Sequence, residues 1–316
     1  MSQPKVITLA PTALDRNGIS TTETLLATRL DYLINGALST GYDRNGICAS
    51  QTPTGADAMT LNGALGVDFH TRRGVYVLIY GAADDTGRTF TVVGEDSKGN
   101  FLTEAITGPD AGLIVLGSTK FWHITSVTPD AATAGAIEVG VNGYAEFTTA
   151  QHVAMYSAGD DTGDTYTARG YDRYGVEVTD SITGASAGTS STQDQNFGWV
   201  DRITSSGTSA GAVEAGVDGL CESAWFLLNY RGPDFNVSLL VDVVSGTLTY
   251  AAQHTSDNIL ATGFAENDAT AFTHDTLTGQ TTDQDGNYTN PPRAVRLALT
   301  AFTSGSVKMT VVQTGT

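Results

Sequence analysis

The chain has 316 residues, a formal net charge of −18, 40% hydrophobic residues, 36 glycines and two cysteines. Its length and apolar content allow two or three domains, each with its own core. A strongly acidic surface argues against nucleic acid and anionic membranes as partners. No stretch is apolar for long enough to span a bilayer as a helix, and the opening MSQPKVITLAPTALD has no signal-peptide core. The expectation is a protein made in the cytoplasm and kept soluble, or exported only by cell lysis.

Residues 1–74 hold six acidic and six basic residues and so carry no net charge. They read as an N-terminal arm, a candidate anchor, with a strand at Val6–Leu9 and then one short helix. Ser20-Thr21-Thr22-Glu23 has capping-box spacing, Leu26, Leu30, Leu33, Ile34 and Ala37 follow at helical spacing, and Asn35-Gly36 is a stop signal. Short strands and loops fill 41–74. YDRNGI at 42–47 echoes LDRNGI at 14–19, read here as one turn used twice in preference to a small duplication.

Residues 75–150 and 151–224 read as two tandem copies of one module. At an offset of 76, residues 77–143 lie on 153–219 without a gap, and 27 of the 67 positions are identical. Two copies are too few for a solenoid. In the first copy, strands are expected near Val75–Tyr80, Arg88–Gly94, Phe101–Thr107, Leu113–Leu116, Lys120–Thr128 and Ala136–Val141. Turns about every ten residues fit a β-sandwich or a partly open barrel. The copies carry charges of −6 and −8, and residues 225–316 carry −4. This last unit reads as a C-terminal β domain. Val237, Leu239, Val241 and Val243 alternate, as do Val295, Leu297 and Leu299, then Val307, Met309 and Val311; Pro291 and Pro292 stand at a strand entrance. The polar stretch 256–289 is long for a loop, and such loops usually serve function or an interface.

The string DDTG occurs at 84–87 and again at 160–163. It belongs to seven Asp-x-x-Gly strings, which start at Asp15, Asp43, Asp84, Asp96, Asp160, Asp172 and Asp283. Asp at the first position and Gly at the fourth is the preference of a type I turn, so the reading is a hairpin loop. A calcium loop needs about six oxygen ligands. The nearest spacing, from Asp283 and Asp285, lacks the following glutamate that an EF-hand requires. No metal and no cofactor is expected.

No Gly-x-Ser-x-Gly elbow, Walker loop, HExxH or paired Cys-x-x-Cys is read in the chain. No two of His70, His123, His152, His254 and His274 have the spacing of a local metal pair. His123 falls on Trp199 and His152 on Tyr76 in the repeat, swaps that keep bulk and not chemistry. Glu138 and Glu214 are retained, but an acid/base pair on separate domains acts together only if the domains face each other. Cys48 and Cys221 read as buried thiols ahead of a disulfide. The sequons at Asn236 and Asn287 would not meet glycosylation machinery without a secretion signal. No catalytic, cofactor-binding or metal residue is assigned, and the chain is not read as an enzyme. Phe121, Trp122, Trp199, Trp225 and Tyr230 are core aromatics on the first reading and the wall of a sugar groove on the second.

DDTGRTFTVVGEDSKGNFLTEAITGPDAG (84–112) resembles a recurrent module of virion structural proteins of tailed bacteriophages: a T-F-T-V-x-G strand, then D-x-x-G-N, then T-E-x-I-T-G-P. SGTLTYAAQHTSDN and NPPRAVRLALTAFTSGSVKMTVVQ also resemble phage particle proteins. The resemblance covers 75–143 best, 153–219 more weakly and the C-terminal unit loosely. It implies a non-enzymatic decoration (cement) protein on the virion exterior. Its partners would be the major capsid protein or another virion protein and copies of itself, as in a trimer. A tail, collar or neck protein is the alternative, and a glycan-binding adhesin is the reading from another class. On this picture the neutral segment 1–74 docks on an acidic shell and the modules project outward.

Overall fold

The computed structural model describes residues 4–24, 31–65, 74–192, 195–230 and 235–313. The protein is mainly β. The N-terminal strands are β1 (Lys5–Leu9), β2 (Asp15–Glu23), β3 (Ser39–Thr40) and β4 (Asp43–Gln51). Then come β5 (Val75–Gly81), β6 (Thr89–Glu95), β7 (Phe101–Thr107), β8 (Ile114–Phe121), β9 (His123–Pro129) and β10 (Ile137–Val141). The second set is β11 (Tyr144–Ser157), β12 (Thr165–Tyr171), β13 (Glu177–Thr183), β14 (Thr189–Thr192), β15 (Phe197–Ser205) and β16 (Val213–Glu222). The C-terminal strands are β17 (Phe226–Leu227), β18 (Val237–Thr255), β19 (Phe272–Thr273), β20 (Gln284–Tyr288) and β21 (Ala294–Gln313). All six strands expected in 75–150 are present. β8 runs on to Phe121, so the expected strand from Lys120 divides at Trp122.

Alternation of apolar and polar residues drives these elements. In β13, Val178, Asp180 and Ile182 point inward while their neighbours are exposed. In β18, Val237, Leu239 and Val241 are buried while Ser238 and Leu240 are exposed.

The 76-residue offset recurs in the pairing. β5 lies between β10 and β8, and β6 between β7 and β9. Likewise β11 lies between β16 and β14, and β12 between β13 and β15. The registers match: Ile79 opposes Val139 as Met155 opposes Ala215, and Phe90 opposes Ile106 as Tyr166 opposes Ile182. The surroundings differ. The first copy keeps a four-stranded and a three-stranded sheet, whereas the second belongs to a 14-stranded sheet. β11 starts early enough to pair β15 at Ala145, and β16 runs on to pair β21 at Cys221 and Glu222. The second copy is therefore continuous with the C-terminal strands.

The N-terminal segment departs from expectation. Ser20–Glu23 lies in β2 and does not cap a helix. Residues 25–30 of the expected helix lie outside the described residues. Beyond them Asp31 bridges to Thr204, and Tyr32 N donates to Ile203 O at 2.9 Å. Ser20 Oγ does reach Glu23 Oε1 at 3.0 Å, but that oxygen accepts from Leu33 N at 2.9 Å, ten residues on. Long-range pairing has overridden local spacing.

Nor is 1–74 an arm. β2 pairs with β16, with Ser20 opposite Ala215 and Asp15 opposite Val217. β4 pairs with β10, with Cys48 opposite Val139 and Asp43 opposite Val141. The DRNGI echo is thus a second duplication, 28 residues apart, and not one turn used twice. It continues into INGAL (34–38) and LNGAL (61–65): Gly36 N donates to Ile19 O at 2.9 Å, and Gly63 N to Ile47 O at 2.8 Å. The first N-terminal piece completes the second copy, and the second piece completes the first. Ile19, Tyr32 and Ile34 are buried with Val153 and Val200, whereas Ile47, Cys48 and Met59 are buried with Phe90 and Val139.

A third core lies under the long β18–β21 ladder, which runs from Val237 opposite Gln313 to Thr255 opposite Ala294. β1 lines the other side of β21.

The crossed pairing needs bare backbone at two points. A Cβ on Gly140 would sit 1.9 Å from Asp43 O, and one on Gly216 would sit 1.6 Å from Asp15 O. Gly140→Ala and Gly216→Ala should each cost about 2–3 kcal/mol in urea unfolding, because main chain must move. Gly87→Ala and Gly163→Ala, with nothing within 4 Å of the new methyl, should stay within about 0.5 kcal/mol of the parent. Equal stability for both pairs would contradict the crossed arrangement.

Candidate functional site

The two DDTG carboxylates divide their work. Asp84 accepts from Thr86 Oγ1 at 2.7 Å and Thr86 N at 3.0 Å, and Asp160 does the same with Thr162 at 2.8 and 3.2 Å. These bonds hold both exposed carboxyls below the usual aspartate range. Asp85 and Asp161 are buried, and each accepts a backbone N–H at 2.6 Å, from Ala134 and Ala210. One aspartate caps the turn and the other clasps a later loop.

Asp96 and Asp172 also cap hairpin loops, accepting from the N–H groups two and four residues on. The turn reading fails at the other three strings. Asp15 and Asp43 open β2 and β4, and Asp283 accepts from Val243 N at 2.8 Å as a strand begins. An Asp can bond the amide two residues on in irregular extended chain as well as in a turn. Asp285 lies exposed opposite Leu240. Among the described residues, no group of three or more His, Cys, Asp and Glu could hold a metal ion.

Glu138 and Glu214 face the crossed strands. Glu138 pairs with Arg44 at 2.6 Å, and Glu214 accepts from Thr22 Oγ1 at 2.6 Å. Their retention follows from holding the N-terminal pieces. Cys48 and Cys221 are free thiols in different cores, and burial pushes Cys48 up to about 12. Contrary to the reading that the motif is absent, Gly-x-Ser-x-Gly strings occur at 184–188 and 207–211. Both lie between strands, without the strand-to-helix turn of a nucleophile elbow, and Ser186 bonds Thr189 at 3.0 Å.

Chemistry-bearing side chains gather instead at the seams. Between the two copies, Lys120 of β8 pairs with Asp201 of β15 and donates to Tyr171 Oη at 3.3 Å. Its ammonium lies 5.2 Å from the Tyr76 ring and 4.8 Å from the Tyr171 ring. Burial would lower the lysine, but Asp201 outweighs it and keeps Lys120 charged. Arg202 covers Tyr76 at 5.1 Å and pairs with Asp31 at 2.8 Å. Beside this pair opens a cleft of about 420 Å³, lined by Asp96, Lys120, Trp122, Tyr171 and Trp199 among others. Tyr171 and Trp199 stack at 4.8 Å and 27°. Of the five aromatics considered as a groove, only Trp122 and Trp199 meet here. Phe121 is fully buried, Trp225 lies under Arg296 at 4.5 Å and Tyr230 under Arg293 at 5.2 Å.

Between the second copy and the C-terminal unit lies a buried ionic network. His152 faces Asp218 and Glu222, each at 3.7 Å, and Arg296 faces Glu222 at 3.8 Å. Arg173 pairs with Glu266 at 2.7 Å and donates to Glu222 O, while Glu266 N donates to Asp172 at 3.0 Å. Burial alone would lower His152, but Asp218 and Glu222 outweigh it and hold it up to about 10. Burial pushes Glu266 up to about 7 against the pull of Arg173.

The stretch 256–289 is not one loop, since it carries β19 and β20; in the third cluster it brings His274 against Tyr288, whose Oη lies 2.9 Å from His254 Nδ1. They line a cleft of about 520 Å³. Burial pushes the Tyr288 phenol up and His254 down, the reverse of an activated tyrosine. Sequence spacing gave no sign of any of these clusters. No family model matches the chain, and no curated protein matches it significantly.

The ionic seam has a pH signature. His152 is raised in the fold from its ordinary 6.5 to about 10. Its contribution is therefore present below pH 6.5 and lost as pH rises through about 10. Urea unfolding between pH 7 and pH 10 should show stability falling by about 2 kcal/mol or more. His152→Gln should flatten that fall. A parent curve without a slope, or a variant with the same slope, would refute the charged histidine.

Proposed function

We propose that the chain is a non-enzymatic structural protein of a tailed-phage virion, a decoration or cement protein on the capsid exterior. In this reading its two repeats are copies of one β-sandwich-like module, and several copies of the chain contact each other on the particle. The observation that carries the proposal is the outer face of the sheet β1–β21–β18–β20. Val6 and Leu240 flank Thr310, and Val312 lies on the same face two residues on. These three side chains are 57%, 42% and 38% exposed. Clustered apolar side chains on an open sheet face favour burial against a neighbour. The resemblance of 84–112 to virion modules supplies the class of neighbour. With β2 and β4 built into two cores, docking passes from a free N-terminal arm to this face, where β1 still takes part.

Electron microscopy of purified virions, with mass spectrometry for this chain, tests the reading. The chain should be present in many copies on the head, through the β1–β21–β18–β20 face. A Leu240→Asp, Val312→Asp variant should melt as the parent does and bind stripped particles at least about tenfold more weakly, since a charge buried without a partner is costly. Absence from virions, or unchanged binding by the variant, would overturn it. Density on the tail alone would overturn the decoration role.

A further inference from the structure

We infer that the cleft between the two copies binds a neutral saccharide. This goes beyond a structural role and rests on different residues.

The repeat supplies the first argument. Seventy-six residues away, Trp122 is replaced by Gly198, Trp199 by His123, Tyr171 by Glu95 and Lys120 by Asn196. The module therefore folds without any of these side chains. They stand together only where the copies meet, yet they do not fill the seam. Trp122, Tyr171 and Trp199 remain partly exposed around a cavity of about 420 Å³. That lies within the roughly 300–1,000 Å³ of small-ligand sites.

The chemistry of the walls gives the ligand class. Trp199, held by its stacking on Tyr171 at 4.8 Å, and Trp122 on the same cleft offer flat π surface. The rim is polar: the Ser97 hydroxyl, the Asp96 carboxylate, the Lys120 ammonium and the Tyr171 hydroxyl. A pyranose has this division, with an apolar C–H face and an edge of hydroxyls that donate and accept.

Charge narrows the class. A second cation would be repelled by the Lys120 ammonium, which lines the cleft and lies over the Tyr171 ring. An anion would meet a protein of net charge −18, and Lys120, the one cation among the described residues that line the cleft, is neutralised by Asp201. A neutral, hydroxyl-rich ring suits both conditions.

The full chain is titrated by calorimetry and saturation-transfer NMR with maltotriose, cellotriose, triacetylchitotriose and β-galactotriose, and with a proline-rich decapeptide. At least one trisaccharide should saturate the protein with Kd of about 1 mM or tighter. Trp199→Ala and Trp122→Gly should each weaken it at least about tenfold; the latter installs the residue that the second copy carries there. Tyr230→Ala, on the C-terminal unit, should leave binding unchanged. Melting curves confirm that the variants are folded, and if Trp199→Ala is not, Trp199→His installs the first copy's residue. Failure of all four sugars overturns the assignment, as does binding that survives both tryptophan changes. Binding of the peptide alone at these tryptophans overturns it in favour of a polypeptide ligand.

Discussion

The close approach of backbone at Gly140 and Gly216 fixes the rest of the architecture. At each, the last strand of a copy receives the DRNGI strand so closely that a side chain would collide with the Asp43 or Asp15 carbonyl. Each copy is closed by a strand it does not itself contain, and the order is crossed. One contact across this pairing, Thr22 to Glu214, joins residues 192 apart in the chain. Closure of the second copy therefore waits for almost the whole repeat region, which makes it a late, non-local step. The same crossing binds the N-terminal segment into both cores.

Closure leaves polar material at the seams. Lys120–Asp201 and the His152–Glu222–Arg296 cluster carry charges out of water, which is costly unless partners are well placed. Apolar packing at these seams could be as strong, but it would be indifferent to register. Charged pairs and backbone bonds such as Arg173 to Glu222 O accept one docking and penalise others. The units are thus held in one docking rather than several.

Much of the fold was legible in the sequence. The offset of 76 and the period-two alternation gave the duplicated strands, including Phe101–Thr107 to the residue. The expected helix start at Ser20–Glu23 failed for a physical reason. Ser20 and Glu23 do bond, as in a capping box, but Thr21 and Thr22 are β-branched, and β16 offers a strand edge that no local pattern reveals. The same limit hid the second aspartate of DDTG, whose partner is an amide 49 residues away. It hid the seams too, since no spacing connects Lys120 with Asp201 or His254 with His274. Trp122 and Trp199 were visible as aromatics, but their meeting depends on how two copies dock.

The two copies act as controls for each other. What they share builds the module: Asp85 and Asp161 clasp the same loop, Glu138 and Glu214 hold the same strand, and Gly94 and Gly170 admit the same carbonyl. A position that folding requires has little freedom to differ between copies. The positions that differ most in character at the seam, Trp122 against Gly198 and Trp199 against His123, are free of that demand. Large aromatic side chains left partly open to water there carry a solvation cost that folding does not explain. A bound ring that covers them removes that cost, and at this seam both copies can contribute to the same ligand.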